Sequence, residues 1–214
     1  MADRPGPRLA TLPNLLGVGR ILATPVIMAL LVMEGAGTDF AGGLLFAVAG
    51  FSDYFDGRIA RSRNQVSPLG VFMDLAADKV LVAGVLIAMV EVGLAPTWIA
   101  ATILIREFIV QAVRQLAAAA DVVISAGSLG KAKTVTTLGG LGFLFLASDA
   151  LSGGPMAGTG AGEALMAIGF WTLVLATILT VVSGVQYLRG AWPLLTGSHG
   201  GSHGADPRGG STRG

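Results

Sequence analysis

The stretch from residue 53 to residue 79 reads DYFDGRIARSRNQVSPLGVFMDLAADK and lies across the facing ends of two apolar segments. Of the 27 acidic and basic residues in the chain, eight fall within it. Four of them are the carboxylates Asp53, Asp56, Asp74 and Asp78. An ionised carboxylate in the centre of a membrane helix costs roughly 2.5–3.5 kcal/mol, so four of them require compensation. The stretch therefore predicts a polar cavity at the ends of two helices.

The spacing of the four carboxylates indicates a shared site. Asp53 and Asp56 are three residues apart and Asp74 and Asp78 are four apart, so each pair projects from one face of a helix. The short connection 64–68 makes the two helices antiparallel neighbours, which brings the pairs to similar depth. Ligands that are all oxygen favour hard cations such as Mg²⁺, Mn²⁺ or Ca²⁺, and four carboxylates can hold two ions.

Small residues lie among the carboxylates and favour a ligand site over ion pairing. Gly57, Ala60 and Gly70 would let a bulky ligand approach the backbone. The alternative is that the carboxylates pair across the helices with neighbouring cations, which would not explain why small residues share their face. Those cations are Arg58, Arg61, Arg63 and Lys79.

The composition of the whole chain indicates a polytopic membrane protein. Its 214 residues are 53% hydrophobic and only 13% charged, whereas soluble domains carry about 25% charged residues. A net charge of +1 without a basic face gives no case for nucleic-acid binding. The absence of cysteine excludes disulfides and thiolate catalysis, and the only histidines, His199 and His203, lie in a repetitive tail. Core chemistry must therefore use carboxylates, amines and hydroxyls.

Hydropathy predicts an all-α fold with six transmembrane helices. The loops between alternate spans carry either lysine and arginine or only acidic residues, so the positive-inside rule places both termini in the cytoplasm of a multi-pass cell-membrane protein. We assign residues 1–192 to the transmembrane domain and the Gly/Ser/His-rich residues 193–214 to a disordered cytoplasmic tail. The predicted spans are 14–33, 41–62, 69–91, 96–117, 131–150 and 163–189.

The pattern Asp53-x2-Asp56-Gly57-x2-Ala60-Arg61-x8-Gly70-x3-Asp74-x3-Asp78 resembles the signature of the CDP-alcohol phosphotransferase family. The resemblance implies a six-helix membrane enzyme, usually a homodimer, that displaces CMP from a CDP-linked substrate with an alcohol. It implies that the first three aspartates bind Mg²⁺ or Mn²⁺, two ions in all, together with CDP, and that the fourth binds metal and acts as the base. The residues it assigns to CDP are Asp56, Gly57, Ala60, Arg61 and Gly70.

Further segments resemble one branch of that family, the bacterial phosphatidylglycerophosphate synthases. The similarity implies CDP-diacylglycerol as the donor and sn-glycerol 3-phosphate as the acceptor, with an active site that faces the cytoplasm. The similar segments are Thr11 to Leu16, Arg20, Ala77 to Lys79, Arg106 with Glu107, Arg114, and Gly130 to Thr134.

Cations near the cytoplasmic ends of the fourth and fifth spans support an anionic acceptor. We expect Arg114, Lys131 and Lys133 to bind its phosphate, although they could instead follow the positive-inside rule or contact anionic headgroups. Arg106 and Glu107 are adjacent and do not face each other on a helix, so each is expected to find another partner.

Two alternatives stay open at this point. The same chemistry could use inositol phosphate, serine or another phosphatidyl lipid as its acceptor. A cation-coupled transporter would also place aspartates inside the membrane, but it predicts a repeat of the carboxylate cluster, and the last three spans contain none.

Overall fold

The computed structural model describes residues 12–33, 35–62, 68–120, 122 and 128–196. For residues 12–14, 53–62, 68–75 and 128 it describes the backbone alone. Within this part of the chain the secondary structure is helical and contains no strand. The helices are α1 (Leu12–Val32), α2 (Thr38–Ser62), α3 (Pro68–Glu91), α4 (Thr97–Ala119), α5 (Ser128–Leu151) and α6 (Gly162–Leu195), with a short 3₁₀ helix at Ala157–Thr159.

The predicted all-α class and the count of six helices are confirmed in the described residues. Helix ends agree with the predicted spans to within three residues, except at the end of α6. That helix continues through Pro193 to Leu195, past Arg189 and past the predicted start of the tail. Residues 197–214 lie outside the described residues, so the tail stays a prediction.

Three of the helices are long and apolar enough to cross a membrane over their described lengths: Leu15–Val32, Leu129–Leu151 and Gly162–Leu195. Helix α4 is continuous, but its otherwise largely apolar sequence contains three charged residues, Arg106, Glu107 and Arg114. Large apolar side chains also cover the outside of the bundle, among them Leu22, Phe108 and Trp171, each about two-thirds exposed. Such a surface suits contact with lipid better than contact with water.

The bundle has two halves that meet through α2 and α5. Helix α1 packs on α2 and α3, while α6 packs on α5 and α4. One continuous apolar core joins the halves and includes Ile27, Leu81, Ile99, Phe145 and Leu173. Its side chains are almost entirely buried, so the polar groups described below are held in a rigid frame.

Helices α5 and α6 approach closely because two glycines accept leucines from the facing helix. A Cβ atom at Gly140 would lie 2.8 Å from Leu173 Cδ2, and one at Gly169 would lie 2.8 Å from Leu144 Cδ2. This reciprocal packing of leucine into a glycine notch is the small-residue contact typical of membrane helices.

Two buried carboxylates fix the end of the bundle that is far from the charged stretch. Ser148 donates a hydrogen bond of 2.6 Å to Asp39 Oδ2. The Met156 backbone N–H donates one of 2.8 Å to Asp149 Oδ2. These bonds tie the start of α2 and the connection after α5 to the bundle, so both carboxylates have a structural role.

Candidate active site

The backbone of α2 and α3 carries the four aspartates of the sequence signature. Asp53 and Asp56 lie in the last ten residues of α2, and Asp74 and Asp78 lie in the first half of α3. Both segments are helical, as the spacing argument requires, and the two helices contact each other. The helical register therefore keeps each pair on one face.

The side chains of most signature residues lie outside what the structure describes. This applies to Asp53, Asp56, Gly57, Ala60, Arg61, Gly70 and Asp74. Among the described side chains no group of three or more potential metal ligands occurs, and Asp78 is the one signature carboxylate in that part. The predicted convergence of four carboxylates stays a prediction. Its donor set of carboxylate oxygens fits a hard divalent cation.

Asp78 lines a small cavity between α3, α4, α5 and α6. The cavity has a volume of about 60 Å³, enough for a few water molecules or one small polar group. Its polar lining comes from all four helices, and apolar residues of α3 and α4 complete the wall. The polar residues are Asp78, Lys79, Glu107, Lys133, Thr134, Thr137 and Thr180.

Three cations converge on the carboxylate of Glu107 beside Asp78. Lys79 Nζ on α3 lies 3.2 Å from Glu107 Oε2. Arg106 Nη1 on α4 lies 3.0 Å from Glu107 Oε1, and Lys133 Nζ on α5 pairs with the same oxygen. The cavity lining thus contains two lysines and two carboxylates, Asp78 and Glu107, and Arg106 adds one further positive charge beside Glu107. The ammonium groups of Lys79 and Lys133 are the groups of this lining that can donate charge-assisted hydrogen bonds to an anion.

Arg106 connects this cluster to α6. Its Nη2 donates a hydrogen bond of 3.0 Å to Ser183 Oγ. A Cβ atom at Gly184 would lie 3.0 Å from Arg106 Cγ, so glycine at this position gives the arginine room to cross α6. The expectation that Arg106 and Glu107 do not face each other was wrong, because the long arginine side chain turns back along the helix surface. The expectation of further partners is confirmed by Ser183, Lys79 and Lys133.

The three residues predicted to bind the acceptor phosphate occupy different places. Lys133 lines the cavity with Asp78, whereas Lys131 is exposed on the same helix. Arg114 is also exposed, and its guanidinium lies 5.8 Å from the ring centroid of Tyr187, at cation–π distance. Arg114 is two helical turns beyond Glu107, about 10 Å along the α4 axis. The structure thus brings one of the three into the cavity.

Sequence reasoning missed the hydroxyl groups of the site and the central place of Glu107. Thr134, Thr137 and Thr180 line the cavity, and Ser183 holds Arg106. A usable signal was the presence of an acidic residue in the middle of an apolar helix, which is costly unless cations at the same depth surround it.

Comparison with known proteins places the chain in a family. A family model described as CDP-alcohol phosphatidyltransferase matches residues 10–182. The chain is 32% identical over 202 residues to a CDP-diacylglycerol–glycerol-3-phosphate 3-phosphatidyltransferase of Bacillus subtilis, covering 88% of this chain and 98% of that protein. It is 34% identical over 179 residues to the Rickettsia prowazekii protein of the same name, covering 83% and 93%.

A plant protein with a different name is similar to a comparable degree. The chain is 32% identical over 205 residues to a cardiolipin synthase (CMP-forming) of rice, Oryza sativa subsp. japonica. The match covers 89% of this chain but only 60% of the rice protein. Because the family model spans most of the sequence, including both helices of the aspartate signature, the chain belongs to the CDP-alcohol phosphatidyltransferase family.

Proposed function

We propose that this protein transfers the phosphatidyl group of CDP-diacylglycerol to sn-glycerol 3-phosphate, giving phosphatidylglycerophosphate and CMP. Membership of the family and the names of the Bacillus and Rickettsia relatives support the donor and the acceptor. The observation that carries the proposal is the position of Lys133 in one cavity with Asp78. A cation beside the proposed base suits an acceptor that has both a hydroxyl group and a phosphate.

In the proposed reaction, a hydroxyl oxygen of glycerol 3-phosphate attacks the phosphorus that bears the diacylglycerol. A new P–O bond forms, the P–O bond to the CMP phosphate breaks, and CMP leaves with the bonding electrons. Asp78 accepts the proton of the attacking hydroxyl. Lys133 binds the acceptor phosphate, and the exposed cations Arg114 and Lys131, which do not line the cavity, attract it by longer-range electrostatics. Direct displacement requires no covalent intermediate on the enzyme.

Divalent metal ions are part of the proposal. Asp53, Asp56, Asp74 and Asp78 would hold two Mg²⁺ or Mn²⁺ ions, since hard cations prefer carboxylate oxygens. When bound, such ions offset the charge of the diphosphate and of the departing CMP. CDP would bind the signature residues of α2 and the start of α3, three of which, Gly57, Ala60 and Gly70, are small. The other two residues that would bind CDP are Asp56 and Arg61.

The proposed enzyme spans the cell membrane with six helices, both termini and the active site facing the cytoplasm, and forms a homodimer. The transmembrane domain comprises residues 1–192 and the cytoplasmic tail residues 193–214. The distribution of loop charge supports this orientation, because the connections after α1, α3 and α5 contain no lysine or arginine. The donor would keep its acyl chains in the bilayer, and glycerol 3-phosphate would arrive from the cytosol.

A second candidate function keeps the donor and changes the acceptor to a phosphatidyl lipid. The similarity to the rice cardiolipin synthase favours it. The cavity of about 60 Å³ does not separate the two acceptors, because the acyl chains of a lipid acceptor would lie in the bilayer like those of the donor. The names of the Bacillus and Rickettsia relatives, which match over most of their length, favour glycerol 3-phosphate.

A panel of acceptors tests the choice. Purified protein with CDP-diacylglycerol and Mg²⁺ receives glycerol 3-phosphate, inositol phosphate, serine or phosphatidylglycerol, and CMP release is measured. Of these four acceptors, we expect only glycerol 3-phosphate to give rapid CMP release. Faster release with another acceptor would contradict the proposal, and CMP release that depends on the donor would also exclude the transporter alternative.

A further inference from the structure

Glu107 ties four helices together at the wall of the cavity. Its carboxylate lies on α4 and accepts from Lys79 on α3 and from Lys133 on α5. Arg106 links it to Ser183 on α6 through two guanidinium nitrogens. Only 23% of the Glu107 side chain is exposed, so these contacts replace most of its hydration.

The two lysines paired with Glu107 are the cations that line the cavity beside Asp78. Each ammonium group has three N–H donors, and one of them is used in its bond to Glu107. Within the part of the chain that the structure describes, the hydrogen bond of each ammonium group goes to Glu107, which leaves two donors on each lysine for an acceptor molecule. Pairing with Glu107 therefore fixes the position of the lysines without using up their capacity to bind an anion.

Without Glu107 the cations would be left near one another with less compensation. Lys79, Arg106 and Lys133 meet at one carboxylate, and 13% of the Arg106 and Lys133 side chains is exposed. Like charges in a weakly hydrated environment repel strongly, and lysine side chains are flexible. The ammonium groups would move apart and away from the cavity, whereas Arg106 would stay on Ser183.

We infer that Glu107 is a positioning residue for the acceptor: it holds the ammonium groups of Lys79 and Lys133 at the cavity so that their remaining donors bind the acceptor phosphate next to Asp78. This inference rests on the proposed function, because it takes glycerol 3-phosphate as the acceptor. Glu107 itself acts through the two lysines and does not contact the reacting atoms.

The test compares Glu107→Gln with the wild type in steady-state kinetics of CMP release, each substrate being varied in turn. Glutamine keeps the shape but removes the charge that gathers the lysines. We expect the KM for glycerol 3-phosphate to rise about tenfold or more, while the KM for CDP-diacylglycerol stays within about twofold. Glu107→Asp keeps the charge and should recover part of the loss. Glu91→Gln, an exposed glutamate at the end of α3, is the matched control and should equal wild type.

A double-variant comparison separates positioning from a general structural effect. If Glu107 acts through Lys133, Glu107→Gln should raise the KM much less in a Lys133→Met background than in the wild type. If Glu107→Gln raises the KM for glycerol 3-phosphate by the same factor in both backgrounds, the inference is overturned. An unchanged or lower KM for glycerol 3-phosphate in Glu107→Gln would overturn it as well.

The outcomes below separate failure of the inference from failure of the variant to fold and from failure of the proposed function. If Glu107→Gln cannot be purified as a folded protein, Glu107→Asp alone decides, and a KM for glycerol 3-phosphate equal to that of wild type counts against the inference. If the wild type releases CMP with glycerol 3-phosphate but Glu107 variants show no acceptor-specific change, the inference fails and the proposed function stands. If the wild type does not use glycerol 3-phosphate, both fail.

Discussion

Replacing Lys133 by methionine should weaken use of glycerol 3-phosphate much more than the same change at Lys131. Lys133 lines the cavity with Asp78 and its side chain is 13% exposed, whereas Lys131 is exposed on the same helix. Methionine keeps most of the length and the apolar stem but removes the ammonium group. Losing one charge-assisted hydrogen bond to phosphate costs about 1.5–3 kcal/mol, which corresponds to roughly a tenfold to hundredfold rise in KM.

The fold should tolerate the Lys133→Met change. Glu107 keeps two of its cations, Arg106 and Lys79, so no carboxylate is left buried without a partner. The assay is CMP release in detergent micelles, with glycerol 3-phosphate varied at saturating CDP-diacylglycerol and then the reverse. We expect the donor KM to change by less than about twofold. Equal effects of Lys133→Met and Lys131→Met on the acceptor KM would refute the assignment of Lys133 to the acceptor phosphate.

The remaining predictions concern the metal site, a second cation and the helix packing. Asp74→Ala should abolish turnover at any concentration of Mg²⁺ or Mn²⁺, while wild type inactivated by EDTA should regain activity with either ion; a Mg²⁺ titration of both proteins decides. Arg114→Ala should raise the KM for glycerol 3-phosphate by about twofold to fivefold, less than Lys133→Met does, because Arg114 is an exposed charge outside the cavity, whereas Tyr187→Phe, which keeps the ring beneath the guanidinium, should match wild type in the same kinetics. Gly169→Ala should lower the free energy of unfolding by about 1–3 kcal/mol through overpacking, while Gly142→Ala, whose new methyl group meets no atom within 4 Å, should not; thermal melting in detergent compares the two.

The helices were predictable because each needs a long apolar run, and apolar length can be read directly from sequence. The end of α6 was the exception. The predicted span ends at Arg189 because the apolar run ends there. The backbone hydrogen bonds of a helix can continue beyond the apolar region, and in α6 they continue to Leu195. Pro193 did not stop the helix, although it lies only two residues before the last helical residue, Leu195.

The part of the site that depends on side-chain direction was harder to predict. Lys131 and Lys133 were expected to act together, yet residues two apart lie about 200° apart around a helix, so only one can face the cavity. Which one does so depends on how α5 packs against α6, and that is set by Gly140 and Gly169. The pairing of Arg106 with its neighbour Glu107 depends on a side-chain rotamer, which spacing rules do not describe.

The central claim is that this protein joins glycerol 3-phosphate to the phosphatidyl group of CDP-diacylglycerol. The most direct measurement supplies radiolabelled glycerol 3-phosphate with CDP-diacylglycerol and follows the label into the organic phase together with CMP in the aqueous phase. The account predicts one labelled lipid molecule, phosphatidylglycerophosphate, for each CMP released, and loss of both products in Asp78→Asn. CMP release without label in the lipid, or undiminished labelling by Asp78→Asn, would contradict it.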